Sequence, residues 1–336
     1  MAVRPYILMK KYFLYIASIF AIGSIASCGD STTSTTTETA APSLVKAPAF
    51  SADSAYANVQ TQVYFGPRVP GSASQKKCAA WMEQQLRKYC DSVYVQNVTV
   101  TQPVTSKTYP CINVIGEINP QAATRVLLLC HWDSRGWADE DANPKFHNTP
   151  IDAADDAGSG VGVLIEVARA IKSQKLDIGV DILFADVEDY GKSEWEQASY
   201  PSTYCLGTRY WAQNPHKYGY HANFGMCLDM VGAKGATFKL EQQSKMLAGD
   251  FQKKVWTTAS QLGHSSYFQF ADGGSITDDH MEINQYARIP CIDIINTQPN
   301  GGFAPHWHTM NDKMDIIDKG TLQAVGETVL AVLYNY

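Results

Sequence analysis

Along most of the chain, continuous apolar runs alternate with stretches in which apolar residues recur every three or four positions. The runs "SVYVQNVTVTQ" (92–102), "CINVIGEI" (111–118), "RVLLLCH" (125–131), "GVDILFADV" (179–187), "FGMCLDMVG" (224–232) and "IPCIDII" (289–295) read as strands. Helices are predicted over 78–89, 160–173, 203–214, 247–263 and 320–336. In the second of these, Val161, Leu164, Ile165, Ala168 and Ile171 have the spacing of one helix face. Near-continuous apolar strands between amphipathic helices imply a sheet covered on both faces. The expected fold is therefore α/β: one α/β/α sandwich domain around a central, twisted, mixed β-sheet. The 92–102 run alternates and is rich in Val and Thr, which predicts an antiparallel pair at one end of the sheet.

This pattern is missing before residue 50. Lys10 and Lys11 precede the apolar stretch "YFLYIASIFAIGSIAS", which ends in small residues and Cys28. A charged start, an apolar middle and a small-residue end read as a signal peptide, and the stretch is short for a membrane span. Met9, followed by two lysines, is the expected true start. "IASC" at 25–28 resembles a bacterial lipobox, in which the cysteine becomes the lipidated first residue. The "GDSTTSTTTETAAPS" that follows is polar low-complexity sequence with nothing to bury. Residues 1–28 are thus expected to be a lipoprotein-type signal peptide, 29–50 a disordered tether and 51–336 the folded domain. The protein is expected to be an exported bacterial lipoprotein, anchored through Cys28 and facing the periplasm or the cell surface.

Composition narrows the classes further. With 336 residues, 45% of them hydrophobic, the chain can bury a large core. Its formal net charge is -6, and no Lys/Arg cluster occurs beyond the extreme N-terminus. That argues against a nucleic-acid partner, which needs a concentrated basic patch. The seven cysteines after Cys28 are odd in number and contain no CxxC. Oxidation is open to an exported chain, but Cys130, Cys227 and Cys291 lie in apolar runs and read as small buried hydrophobes.

Polar residues collect where the apolar runs stop. Glu188 and Asp189 end "DILFADVEDYG"; His131 and Asp133 follow "RVLLLC"; Asp229 closes "FGMCLD". Asp155 and Asp156 precede a helix, and His308 lies in "GGFAPHWHTMND". Singly, each has an ordinary explanation: a solvated turn, a helix cap, a loop with surface histidines. Together, beyond the carboxyl ends of parallel strands, they would converge on the rim where open α/β sheets bind ligands. Carboxylates and imidazoles so grouped need a cation, and oxygen and nitrogen ligands of this kind suit zinc. Neighbouring strand residues face opposite ways, so Glu188 and Asp189 can share a site only if the strand has turned by then.

The order "HWD", "DAADDAGSG", "VEDYG", "LDM", "HWHT" resembles the zinc-dependent M28 metallopeptidase superfamily. Within it the chain resembles the glutaminyl cyclases, particularly the bacterial ones, through "GPRVPGS" (66–72), "TDDH" (277–280) and Trp307. The resemblance covers about residues 55–336. It implies one Zn2+ held by Asp156, Asp189 and His308, with Asp189 standing where the animal cyclases have Glu. It makes Glu188 the general acid/base, with Asp229 and Asp278 hydrogen-bonding around it and raising its pKa. Trp195 and Trp307 would wall the substrate pocket. His306 would sit behind the ligands, and Asp133 and Asp279 would orient neighbours. Cys130 occupies one half of an animal disulfide whose other half is Val161 here, so that bridge is absent. His131 and Asp229 match the residues that hold a second zinc in the di-zinc aminopeptidases.

The activity implied is conversion of N-terminal glutamine of peptides and proteins to pyroglutamate with release of ammonia, by a monomer. Two other readings compete. One is a di-zinc aminopeptidase on the same scaffold. The other is a non-catalytic zinc-containing surface lipoprotein, which would tolerate Glu188→Gln.

Overall fold

A strand buried on both faces is mostly apolar, and the central strands are, with the buried Asp181 and Asp293 as mid-strand exceptions. The computed structural model describes residues 44–192, 203–298 and 302–336. Its strands are β1 (Ser92–Thr101), β2 (Thr108–Ile118), β3 (Arg125–His131), β4 (Gly179–Ala185), β5 (Phe224–Asp229), β6 (Phe238–Leu240), β7 (Phe268–Asp272) and β8 (Cys291–Ile295). Its helices are α1 (Ala52–Tyr64), α2 (Ala73–Tyr89), α3 (Gly158–Ser173), α4 (Leu206–Gln213), α5 (Gln242–Gln261), α6 (Asp279–Glu282) and α7 (Lys319–Tyr334). No helix of the described residues is long and apolar enough to cross a membrane.

The main sheet has the order β1-β2-β4-β3-β5-β8. β4, β3, β5 and β8 are parallel, and β2 and β1 extend the sheet antiparallel beyond β4. Alternate residues feed the two faces. Val126, Leu128 and Cys130 of β3 join the core built with α1, α2, α3, α5 and α7. Leu127 and Leu129 face Trp211 and Ala212 of α4 and Ile283. The expected α/β/α sandwich with a mixed sheet and an antiparallel edge pair is therefore the observed architecture. After β3 the chain passes through α3 to β4 on one side, then through α4 to β5 on the other. The carboxyl end of β3 is thus a switch point, the place where such sheets bind ligands.

The structure departs from the sequence reading in several places. α1 was not predicted: it buries only Ala55, Val59 and Gln62, too sparse for an apolar stripe. α4 starts at Leu206 rather than 203, because Cys205 takes a left-handed φ of 61°. The small parallel sheet β6-β7 was also unforeseen.

The tether boundary at 50 needs correction too. Residues 44–50 lie packed on the domain. Val45 N–H donates to Asn335 Oδ1 at 2.6 Å, and Asn335 Nδ2 donates back to Val45 O at 3.0 Å. Phe50 is buried, its ring so close to Gly326 that a Cβ there would lie 2.1 Å from Cε2. The physical reason is that an apolar ring and a helix without a side chain at that point complete the core together.

Candidate active site

β4 ends at Ala185, and Val187 has a left-handed φ of 56°. The chain has therefore turned before Glu188, and both Glu188 and Asp189 line one pocket. Asp133, just beyond β3, holds this turn: its Oδ1 accepts from the Glu188 N–H at 3.0 Å and its Oδ2 from the Asp189 N–H at 3.1 Å. Asp133 thus orients its neighbours as expected.

The loop before α3 delivers Asp156. The Asp312 carboxylate accepts from the N–H groups of Asp155 at 2.7 Å and Asp156 at 3.1 Å. Asp155 in turn accepts from the Gly232 N–H at 2.7 Å and lies 2.9 Å from His306 Nε2. Asp155 and His306 are therefore committed to holding the loop, and Asp156 is left for chemistry. The Asp156–Ala157 peptide bond is cis. His308 comes from the loop after β8, and the Trp307 ring stacks on its imidazole with centroids 3.6 Å apart.

These loops bring three predicted ligands together. His308 Nε2 lies 3.1 Å from Asp189 Oδ1 and 3.7 Å from Asp156 Oδ2. One ligand atom from each of Asp156, Asp189 and His308 falls within a 4.8 Å span, and all three residues are buried. Asp189 Oδ2 is buried without a hydrogen-bond partner. An orphaned, buried carboxylate oxygen on a residue of such a cluster is what a cation site requires, so these residues fit a metal. Sharing Asp156, a second group forms with His131 and Asp229: His131 Nε2 is 2.9 Å from Asp156 Oδ1 and 3.5 Å from Asp229 Oδ1.

The pocket is a cavity of about 330 Å³ lined by Asp156, Glu188, Asp189, Asp229, Asp278, Trp307 and His308 among others. Its apolar side is Met230, Ile276, Ile295, Phe303 and Trp307. Trp307 is one of its lining residues; Trp195 lies outside the described residues. Glu188, Asp278 and Cys205 bring ligand-type atoms within 4.8 Å of one another. Asp229, expected against Glu188, meets His131 instead, because it closes β5 beside the end of β3.

Burial dominates the electrostatics. It pushes Glu188 well above the ordinary carboxylate range, with Asp189, Asp279 and Asp278 adding to the rise and His131 opposing it. The cause is thus desolvation first and like charge second, and Asp229 is not among the main contributors. Burial also raises Asp189 to about 7 against the pull of Arg135, and raises Asp229 with Asp156 adding to it. His308 is held well below its usual value by burial and by Arg135. Burial disfavours the charged form of His131, but hydrogen bonds with Asp133, Asp156 and Asp229 raise it well above its ordinary value. Buried acids that resist ionisation on their own mark a site whose charge a cation balances.

Sequence reasoning missed Arg135 and Asp139. Arg135 Nε donates to Asp139 Oδ1 at 2.6 Å, and its Nη1 donates to Asp189 Oδ1 at 2.9 Å. Asp139 Oδ1 lies 3.5 Å from His308 Nδ1. In "WDSRGWADED" these read as surface charges, and no local signal marks them as buried. Among the described cysteines all seven are free and buried, Cys130 included.

The chain belongs to peptidase family M28, whose sequence profile matches residues 113–333. It is 48% identical to the glutaminyl cyclase of Tannerella forsythia, with 86% of this chain and 100% of that one aligned at a TM-score of 0.83. A Zn-dependent exopeptidase from Parabacteroides distasonis superposes with a TM-score of 0.84 at 47% identity, over 87% of this chain and 100% of the other. Among animal proteins, a bovine glutaminyl-peptide cyclotransferase-like protein is 24% identical over 80% of this chain and 72% of its own length.

Proposed function

We propose that this chain is a zinc-dependent glutaminyl cyclase, an acyltransferase that closes N-terminal glutamine of peptides and proteins to pyroglutamate. The observation that carries the reading is the placement of Glu188 beside Asp156, Asp189 and His308 in one pocket walled by Trp307. Asp156, Asp189 and His308 would hold one zinc ion per chain, which would supply Lewis-acid polarisation of the substrate's side-chain carbonyl.

The chain's own residues do the rest. The pocket, apolar on the Phe303 and Trp307 side, holds the glutamine side chain folded so that its α-amine reaches its own amide carbon. That geometry supplies the proximity term of a ring closure. As the new C–N bond forms, Glu188 takes the proton that the amine loses. As the bond to the amide nitrogen breaks, Glu188 returns that proton to the departing ammonia. Nothing is added and only ammonia leaves. Burial, which raises Glu188 well above the ordinary carboxylate range, makes it a better proton acceptor than an exposed carboxylate and suits that double role. Asp278, whose ligand-type atom lies within 4.8 Å of that of Glu188 in the cluster they share with Cys205, steadies the carboxylate, while Asp229 faces His131. Trp195 is assigned with Trp307 to the pocket wall.

Residues 1–28 act as a lipoprotein signal, and a lipid on Cys28 anchors a monomer at the membrane, facing the periplasm or the cell surface. The polar stretch after Cys28 gives the domain reach to exported substrates.

The second group, His131 with Asp156 and Asp229, favours a different reading, a two-metal aminopeptidase in which Glu188 activates water. Purified protein supplied with a peptide that begins with Gln, and assayed for ammonia, tests the proposal. Ammonia release that falls roughly 10²- to 10⁴-fold in Glu188→Gln supports it; ammonia release unchanged by that substitution would remove Glu188 from the mechanism.

A further inference from the structure

The proposed base is clasped by a residue that the mechanism above does not use. Cys205 caps the start of α4 in a left-handed conformation, φ 61°. Its N–H donates to the main-chain carbonyl of Glu188 at 2.9 Å, and the next N–H, of Leu206, donates to Val187 O at 3.0 Å. Its thiol lies 3.1 Å from Glu188 Oε1. One residue therefore holds Glu188 at both ends, by the backbone and by the carboxylate. Cys205 has no exposed surface. Burial raises its thiol well above the ordinary range, with Glu188 adding to the rise. The sulfur thus keeps its proton and serves as a donor to the carboxylate.

We propose that Cys205 is a positioning residue for the cyclisation: its thiol, donating to Oε1, fixes the rotation of the Glu188 carboxylate so that Oε2 carries the proton between amine and leaving group. The inference rests on the cyclase reading. A carboxylate free to rotate would meet the amine in the productive orientation for only part of the time, which lowers kcat without altering how substrate is held.

The test compares Cys205→Ser, which keeps a donor, with Cys205→Val, which keeps bulk and loses it. Cys78→Ala serves as a control for removing a buried cysteine elsewhere in the core. Ammonia release from a Gln-leading peptide is measured for each, with KM and kcat separated and folding followed by circular dichroism. The expected result is a fall in kcat of about tenfold in Cys205→Val, a smaller fall in Cys205→Ser, KM unchanged in both, and no change in kcat for Cys78→Ala. Equal kcat in wild type and a folded Cys205→Val would overturn the proposal, as would equal losses in Ser and Val. A wild-type chain that releases no ammonia would sink the cyclase reading itself, which separates that failure from a failure at Cys205.

Discussion

Arg135 Nη1 and His308 Nε2 approach the same atom, Oδ1 of Asp189, at 2.9 Å and 3.1 Å. The opposite oxygen, Oδ2, is buried without a hydrogen-bond partner. Arg135 thereby decides which oxygen of Asp189 is free, and through Asp139 it reaches the far side of the His308 ring as well. It is fully buried between Asp139 and Asp189, so neither carboxylate is left alone.

Replacing Arg135 by Met should accordingly loosen the metal. Partners that orient metal ligands are typically worth about 10- to 100-fold in affinity. Competition with a chelator is expected to show a loss of that size for Arg135→Met. An unchanged affinity would mean that Asp189 is oriented by the turn at Val187 alone.

The strap of residues 44–50 is expected to stabilise the domain although it lies far from the pocket. Phe50 fills the space over Gly326, its carbonyl lies 3.4 Å from Gln323 Nε2, and the following N–H donates to Glu166 Oε1 at 2.8 Å. Truncating a buried Phe to Ala costs about 3–5 kcal/mol. Urea unfolding of Phe50→Ala, and of a chain beginning at Ser51, should each show a loss on that order. Stability equal to that of the chain beginning at Leu44 would return the strap to the tether.

The elements that were legible in the sequence share one property: their residues are alike in kind. β3 is apolar from Val126 to Cys130 and polar at both ends, so its bounds could be read directly. Asp156, Asp189 and His308 were legible as candidate ligands because "DAADDAGSG", "VEDYG" and "HWHT" follow one another in an order that resembles the M28 superfamily. What escaped is what depends on a distant partner. α1 buries Gln62, which donates to Gly158 O at 2.9 Å, and a polar residue in the core breaks the stripe that periodicity looks for. Arg135 is an arginine in a charged loop until Asp189 is brought beside it from another strand end. Phe50 follows a run of small residues and acquires a core only when α7 arrives.

Glu241 gives a pH prediction away from the metal cluster. Burial works to raise this carboxylate, but His280 and the N–H groups of Ser244 and Gln243 outweigh it and hold the carboxylate at about 2, below its usual 4.5. The folded value is depressed, so the contribution is fully present above the unfolded value and disappears as pH falls towards 2. Glu241→Gln should therefore cost on the order of 1–2 kcal/mol near neutrality, after discounting for solvent screening. The difference from wild type should shrink steadily in urea titrations between pH 4.5 and 2. A difference constant across that window would place the effect in packing rather than in charge.

The most direct test of the central claim uses one peptide that both candidate activities attack at the same residue, with Gln first and Leu second. After incubation with the purified, metal-loaded protein, the product is weighed by mass spectrometry. The cyclase account predicts a peptide of full length that has lost one ammonia and no longer has a free amino terminus. A peptide shortened by one residue, with free glutamine in solution, would contradict it and make His131 and Asp229 ligands of a second metal.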